Sequence, residues 1–574
     1  MQRRQFLQGL ATSGLFSSVG VCQEVAKDAV ASDVGRFLSA QQLMSVWRRE
    51  QDQLVETYVG KQNFDPRSPF LGGFPSQYQI YHVGAAAQYS LSMVAAFVDP
   101  KSVHHHSERI AESVNLAAEF LKRRQHQDGT IDLLTTNFHS PPDTAFIVRL
   151  VAMSLRLIRR YDQNGLPEFQ GIANRFLERA GRALTVGGIH TPNHRWVVCR
   201  ALALLNSLIP NRQYVARIDR WLLEGIDIDA DGQYTEKSVA GYSPKVNHCL
   251  ITVARLLKRD ALFDAVRRNL QMTTYFLHAN GELVTEASNR QDKFQIILPT
   301  AYYYGYRYMA LKDRDAKFAG MARLIEAVVN AGELRRELVP FMDDPFLQGK
   351  LPTGVAPPTN YVKAFPHSGL VRIRRANVDV SLVSDNDRLL TFFKGNAPLQ
   401  AMRFASAFFG KGQLVGKWIE REDGSFRLTQ ELKGPYFQPF PRDQITGDGD
   451  WSKMPKTGRT QSEVMTLQSS VTVHEHSGKL RVGFDIVGTD HVPVALELAF
   501  RTGGVFSGVK KLGDDRFLLK DGFGTYRMGD DVIQFGPGRA GHEWTQLRGA
   551  EPKLDGPSVY ITGYSPFKFE LQIS

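Results

Sequence analysis

The chain changes its hydropathy period once. Over residues 37–59, 111–121, 145–158, 197–208 and 251–257, apolar residues recur at steps of three and four, the period of a helix face packed on a core. About ten or eleven such helices fit before residue 340, joined by modest loops. After that the period falls to two. In Asn377-Val378-Asp379-Val380-Ser381-Leu382-Val383 apolar and polar residues alternate, and 479–487 and 567–573 do likewise, as half-buried strands do. Glycine follows the same division, with 21 in residues 1–340 and 28 in the shorter remainder. Turns between strands need its conformational freedom, and helix interiors lose stability to it. Pro345, Pro352, Gly354 and Pro357 cluster at the change. The pattern predicts an α+β multidomain chain: a helical array at 32–340, a linker at 341–360, and a C-terminal antiparallel β-sandwich at 361–574 with a dozen or so short strands.

Several helices of the first half open on one signal, a capping hydroxyl followed by proline. These are Ser140-Pro141, Thr191-Pro192 and Ser243-Pro244, with the prolines 51 and 52 residues apart, and a further start is expected near Arg290. That period has room for two helices and two loops, so it predicts stacked helical hairpins. An array that curves and closes is an (α/α) toroid, in which every second helix lines the centre with its N-terminus at the same end. Polar residues crowd these starts. Asn137, Phe138 and His139 precede the first, Asn193, His194 and Arg195 lie inside the second, Tyr242 precedes the third, and Glu286, Asn289, Arg290 and Gln291 lie near the fourth. Helix N-termini carry unpaired N–H groups and partial positive charge, so several facing one cleft form a carboxylate site. Each start taken singly reads as ordinary capping; the shared spacing groups them.

Composition and charge narrow the anion. Hydrophobic residues make up 43% and charged residues 22%, as in a folded chain, and three cysteines are too few for a disulfide scaffold. Seventy Lys+Arg against 59 Asp+Glu give +11, a balance that fits nucleic acid, anionic lipid or an acidic polymer. Arg3-Arg4-Gln5-Phe6-Leu7, no further charge until Glu24, and Ala29-Val30-Ala31 read as a twin-arginine-type export signal at 1–31. This predicts a mature start near Ser32 and a periplasmic or secreted location. A lipoprotein anchor at Cys22 competes, but Val21 before it is large for such a site; a cytoplasmic N-terminal helix is the third reading. No later segment has eighteen uninterrupted apolar residues, so no membrane span is expected. Export, a mature charge of +10, and no zinc-finger, helix-turn-helix or aromatic RNA-binding motif favour an acidic polysaccharide or oligosaccharide over nucleic acid. No cofactor or metal is predicted, and the sequence leaves the oligomeric state open.

β-Elimination from a uronic acid suits such a pocket. It needs the carboxylate neutralised, a base for the C5 proton and an acid for the oxygen leaving C4. Asn, His and Arg neutralise by charge-assisted hydrogen bonds. Tyr or His supplies base and acid, and tyrosine serves as both when nearby cations acidify its phenol. Tyr242 with Asn193, His194 and Arg290 meets these needs without a metal. The runs Thr191-Pro192-Asn193-His194-Arg195-Trp196-Val197 and Asp231-Gly232-Gln233-Tyr234-Thr235-Glu236-Lys237-Ser238, ending at Gly241-Tyr242, resemble polysaccharide lyases of the heparinase II/III-like and chondroitin-lyase-like toroid group. Residues 137–144 and 285–292 resemble more closely the branch that includes bacterial L-rhamnose-α-1,4-D-glucuronate lyases. The resemblance covers the toroid motifs and the two-domain plan. It implies a carbon–oxygen lyase acting on a uronic-acid glycan, with Asn193 as carboxylate neutraliser, Tyr242 as catalytic tyrosine and Arg290 as substrate-binding arginine. His139 and His194 are then bases or substrate contacts, and Asn137, Glu286, Arg195, Trp196 and Gln291 complete the substrate-binding set. The chain departs from the pattern where chondroitin lyases carry a histidine before the tyrosine: Glu236 and Lys237 stand there. The base is therefore His139, His194 or Tyr242 itself. His367 matches a β-domain histidine of heparinase-like enzymes and also reads as a turn residue.

Two other functions remain open. A glycoside hydrolase of the unsaturated-glucuronyl type would draw carboxylates from Asp143, Asp231, Glu236 and Glu286, although Asp143 reads as a capping residue and Asp231 as a turn residue. A non-catalytic protein would hold an acidic glycan in the same basic cleft. His104-His105-His106 reads as a solvated loop, Cys199 and Cys249 as buried free thiols with a disulfide as the alternative, and the tyrosines from Tyr302 to Tyr308 as packing with stacking on sugar rings as the alternative.

Overall fold

The structure is a computed structural model that describes residues 37–574. The expected export signal, its cleavage site and Cys22 lie outside the described residues. The chain forms two compact units. One comprises the described residues up to Leu277 with Gly281–Pro357; the other comprises His278–Asn280 with Pro358–Ser574.

The first unit contains twelve α-helices among the described residues: α1 (Ala40–Lys61), α2 (Val83–Val98), α3 (Glu108–Arg124), α4 (Pro141–Tyr161), α5 (Pro167–Val186), α6 (Pro192–Leu208), α7 (Arg212–Leu222), α8 (Tyr242–Leu257), α9 (Leu262–Thr273), α10 (Tyr303–Asp313), α11 (Ala316–Val328) and α12 (Leu338–Asp343). A hairpin of β1 (Ile131–Leu133) and β2 (Asn137–Ser140) precedes α4. Helices α2, α4, α6, α8 and α10 pack in succession as an inner ring, and each is hairpin-paired with the helix that follows it. Their composition explains the placement. In α6 nearly every position from Trp196 to Leu205 is buried, whereas α7 buries only Tyr214 and Ile218. The array closes where α1 meets the end of the unit. Trp47 is fully buried, its indole N–H donates to the Ala331 carbonyl at 2.8 Å, and its ring meets Phe341 edge-on at 4.9 Å. This is the (α/α) toroid that the repeat of helix starts predicts.

Two of the expected starts are displaced. Helix α8 begins at Tyr242 with Gly241 at its cap, and the hydroxyl that accepts the Tyr242 N–H, at 3.0 Å, belongs to Ser238 rather than Ser243. No α-helix begins near Arg290. Asp292 there accepts from the Ser238 hydroxyl at 2.9 Å, the Ala240 N–H at 2.8 Å and the Ser288 hydroxyl at 2.8 Å, which ties 285–292 down as a loop until α10 starts at Tyr303. Glycine is required where a loop presses on an outer helix. Gly232 has φ +100°, and a Cβ there would lie 2.6 Å from the Arg268 carbonyl oxygen of α9. Gly232→Ala is expected to destabilise the chain by about 1–3 kcal/mol, read by denaturant unfolding.

The second unit holds seventeen strands. They are β3 (Asn360–Phe365), β4 (Leu370–Arg375), β5 (Val378–Val383), β6 (Leu390–Lys394), β7 (Ala397–Ser406), β8 (Ile419–Glu420), β9 (Phe426–Phe437), β10 (Gln461–His476) and β11 (Lys479–Gly488). They continue as β12 (Pro493–Phe500), β13 (Val505–Ser507), β14 (Lys510–Gly513), β15 (Arg516–Leu518), β16 (Gly524–Met528), β17 (Asp531–Gly536), β18 (Ser558–Tyr564) and β19 (Phe567–Ile573). One sheet runs β13-β16-β17-β19-β11-β10-β9-β8, the other β14-β15-β18-β12-β7-β6-β5-β4-β3. Every pairing is antiparallel except β15 with β18. Inward residues such as Leu480, Val482, Phe484 and Ile486 of β11 fill the core between the two layers, as the alternation over 479–487 predicts. Strand β5 departs from the pattern. Its polar positions Asp379 and Ser381 are fully buried. His278 Nδ1 lies 2.8 Å from Asp379, the Ala279 N–H donates to it at 2.6 Å, and Arg372 of β4 donates to both Asp379 and Ser381, at 2.9 and 2.6 Å.

Candidate active site

The N-terminal ends of α6 and α8 bring four of the predicted residues together. Asn193 is the second residue of α6, 3% exposed. The Thr191 hydroxyl does not cap this helix. Glu236, from the loop before α8, does so instead: its Oε1 accepts the Asn193 N–H at 2.8 Å and also the Asn193 side-chain amide. Its other oxygen lies 3.7 Å from Arg290 Nε. The Arg290 guanidinium sits 5.3 Å from the centre of the Tyr242 ring, and Lys245 Nζ sits 5.1 Å from the same ring. Lys245 follows Tyr242 by three residues on α8 and so shares its face. Burial pulls the Lys245 ammonium below its ordinary range; Arg149 adds to this, and Cys249 and Glu236 oppose it.

His194 stands beside this group. Its ring meets His190 edge-on at 4.8 Å and Phe146 at 6.2 Å. Burial, with His190 adding to it and Asp143 and Glu236 opposing, pulls the imidazole below its ordinary range, so the neutral ring is favoured. Four polar atoms of the group are buried without a hydrogen-bond partner: Asn193 Oδ1, His194 Nδ1, Glu236 Oε2 and Arg290 Nε. Buried polar atoms are ordinarily paired, so this clustering marks a place for a polar ligand. His190 also borders an open groove of about 430 Å³, lined by Asn137, Phe138, His139 and Pro142.

The other predicted residues are held elsewhere. His139 is exposed in the β1–β2 hairpin at φ +46°, with Nδ1 2.8 Å from Asp128 and its ring stacked on His126 at 3.8 Å. Asn137 donates to Asp143 at 2.8 Å, and Asp143 is bonded to the Ser140 cap, the role expected of it. Arg195 and Trp196, expected to bind substrate, turn to the loop after α7. Arg195 pairs with Glu224 at 3.0 Å and Asp227 at 2.9 Å, and the fully buried Trp196 donates to Asp227 at 2.8 Å. Glu286 is buried in the turn Thr285–Ala287, and Gln291 is exposed. His367 is exposed in the turn Pro366–Ser368 of the second unit. His104, expected in a solvated loop, is instead buried, with Nε2 3.0 Å from the Asp52 carbonyl oxygen. Cys199 and Cys249 are buried and free. Among the described residues no three His, Cys, Asp or Glu side chains are grouped as metal ligands, and no helix is long and apolar enough to cross a membrane. Lys245, Glu236 as the cap of α6, and His190 join the group without being expected from the sequence. The i,i+3 spacing from Tyr242 was the available signal for Lys245.

No protein-family model matches the chain, and no curated protein matches it in sequence. In structure it is similar to Streptomyces coelicolor A3 chondroitin AC lyase in complex with chondroitin sulphate, with TM-score 0.55 and 12% identity over 95% of this chain and 80% of that one. It is similar to Paenibacillus xanthan lyase, with TM-score 0.57 and 8% identity over 96% of this chain, which spans 59% of that enzyme. It is similar to heparinase III, with TM-score 0.54 and 11% identity over 96% of this chain and 86% of that one. At these identities the shared feature is the fold, a helical toroid followed by an antiparallel β-sandwich.

Proposed function

We propose that the chain is a polysaccharide lyase that cleaves an acidic glycan by β-elimination beside a uronic acid, with catalysis in the toroid at 32–340. One observation carries the reading: a helix N-terminus, an asparagine amide and a tyrosine flanked by Arg290 and Lys245 meet in one group with four buried polar atoms that lack a hydrogen-bond partner. The likeness in fold to chondroitin AC, xanthan and heparinase III lyases supports it. The uronate carboxylate sits against Arg290 and takes over the Asn193 side-chain amide that Glu236 accepts in the free protein, and both donors stabilise the negative charge that gathers on it as the C5 proton leaves. Tyr242 acts as a phenolate and takes that proton. The C5–H electron pair forms the C4=C5 double bond, the C4–O bond breaks, and the departing oxygen takes the proton back from the Tyr242 phenol. The products are a 4,5-unsaturated uronate and a new hydroxyl end, and the enzyme returns to its starting state. Glu236 positions the Asn193 amide, and neutral His194 is the second candidate base. The motifs at 137–144 and 285–292 favour L-rhamnose-α-1,4-D-glucuronate as the linkage, and the twin-arginine pattern favours an exported enzyme.

Incubation with acidic glycans is expected to raise absorbance in the ultraviolet band of a 4,5-unsaturated uronate. New reducing ends without that absorbance would assign hydrolysis, and binding with neither would assign a glycan-holding role. By the same absorbance, Arg290→Ala is expected to lower kcat/KM by about 10²-fold or more.

A further inference from the structure

The inner face of the toroid is built in layers, one turn of helix apart. Tyr242, Lys245, His248, Thr252 and Arg255 follow at three- and four-residue steps on α8, as do Phe146, Arg149, Met153 and Arg156 on α4 and Asn193, Val197, Arg200, Leu204 and Ser207 on α6. The deepest polar layer is charge-balanced. Arg156 and Arg255 both bind Asp343, at 2.6 and 2.9 Å, Arg255 also reaches Asp344 at 3.2 Å, and Arg156 donates to Ser207 at 2.8 Å.

The layer between that floor and Tyr242 is not balanced. Arg200 donates to His248 Nε2 at 2.9 Å, and Tyr304 stacks on the same imidazole at 3.7 Å, so His248 is a neutral acceptor. Burial, with the charges of Arg200 and Arg149, pushes it the same way. Arg200 is 6% exposed and its Nε is buried without a partner. Arg149, one turn below Phe146, has neither a hydrogen bond nor an ion pair among the described residues. Burial, reinforced by the like charge of Arg200, pulls its guanidinium down to about 9. The carboxyl of Glu337 faces Arg200 and Arg336, but burial pushes it up to about 7, so at neutral pH it is an incomplete counter-charge. Arg149, Lys245 and His248 each keep part of their exposure, so solvent reaches this layer. Two largely buried guanidiniums that share only the partly ionised Glu337 carboxyl are costly unless a further acceptor of opposite charge joins them.

We propose that this layer, Arg149 and Arg200 walled by His248 and Tyr304, binds a second oxyanion group of the glycan, a carboxylate or sulfate ester other than the uronate at Tyr242. The glycan assignment rests on the lyase reading above; the oxyanion chemistry does not. Melting of the full chain in sodium sulfate, against sodium chloride at matched ionic strength, reads the oxyanion without turnover. The wild type is expected to gain more from sulfate than Arg149→Met, and Arg149→Lys to keep part of that gain. In sulfate-free buffer Arg149→Met is expected to melt no lower than wild type, because it removes an unpaired charge. Equal sulfate gains in wild type and Arg149→Met overturn the site. Calorimetry in a Tyr242→Phe background, with glycan fragments bearing one or two acidic groups, then separates glycan-borne from free anions. The Kd ratio of diacidic to monoacidic fragments is expected to rise about 10-fold or more on adding Arg149→Met. An unchanged ratio beside an intact sulfate difference gives the layer to free anions and overturns the glycan assignment. Failure of the lyase reading shows separately, as absence of unsaturated product in the wild type.

Discussion

Tyr242→Phe is expected to lower the rate of unsaturated-uronate formation by about 10³-fold or more while the melting temperature stays unchanged. General acid–base catalysis by one positioned group contributes roughly 10²–10⁴-fold, and here a single hydroxyl would supply both base and acid. A 10³-fold loss corresponds to about 4 kcal/mol of transition-state stabilisation. The fold has little stake in that hydroxyl. Tyr242 enters α8 through its backbone N–H to Ser238, and Arg290 and Lys245 contact the face of its ring, which phenylalanine keeps. Substrate binding is therefore expected to survive, so the loss falls on kcat rather than on KM. A variant that keeps more than a tenth of the activity removes Tyr242 as the base. His194→Ala would then be the decisive comparison, because His194 is the neutral imidazole beside the same group.

The outline of the toroid was legible because helix starts are local events. Ser140-Pro141 and Thr191-Pro192 each begin a helix at the proline, and their spacing carries the repeat. Ser243-Pro244 misled by two residues because proline is tolerated throughout the first turn, where backbone N–H groups have no helical partner. Helical rotation explains which neighbours of the motif share its face and which turn away. Arg195, two residues beyond Asn193, is turned about 200° around α6 and meets the loop after α7, whereas Lys245, three residues beyond Tyr242, returns to the same face. The sequence marks Asn193, Arg290 and Glu236 singly as candidates, but not the contact that joins Glu236 to Asn193. Glu236 reaches Asn193 across 43 residues of chain, and no local pattern encodes that distance. The same limit applies to β5. Alternation there predicts Asp379 facing solvent, yet the segment that covers it lies 101 residues earlier in the chain.

Asp379→Asn is expected to destabilise the second unit by about 3–5 kcal/mol, read as a lower denaturant midpoint of the full chain. The substitution preserves shape and removes only charge. Asp379 and Arg372 are both fully buried and 2.9 Å apart, Arg374 lies 3.7 Å away, and His278 at 2.8 Å is itself 4% exposed. With the carboxylate gone, the fully buried Arg372 loses its ion pair with Asp379, and the Ala279 N–H loses a charged acceptor. The carboxylate also gives the unit a definite pH dependence. Burial alone would raise its pKa, but the charges of His278 and Arg372, with the His278 hydrogen bond and Arg374, outweigh burial and hold it well below the usual carboxylate range. A group depressed on folding stabilises the folded state above its unfolded pKa and ceases to do so as pH falls towards the folded one. Stability is therefore expected to decline below about pH 4 in the wild type and to decline less steeply in Asp379→Asn. A double replacement, Asp379→Leu with Arg372→Leu, separates the cost of leaving one buried charge behind from the worth of the pair. Desolvation offsets most of the attraction inside a core, so the double variant is expected to recover a large part of what Asp379→Asn loses. If it is as unstable as the single variant, packing around β5, and not the loss of the Asp379–Arg372 ion pair, sets the loss.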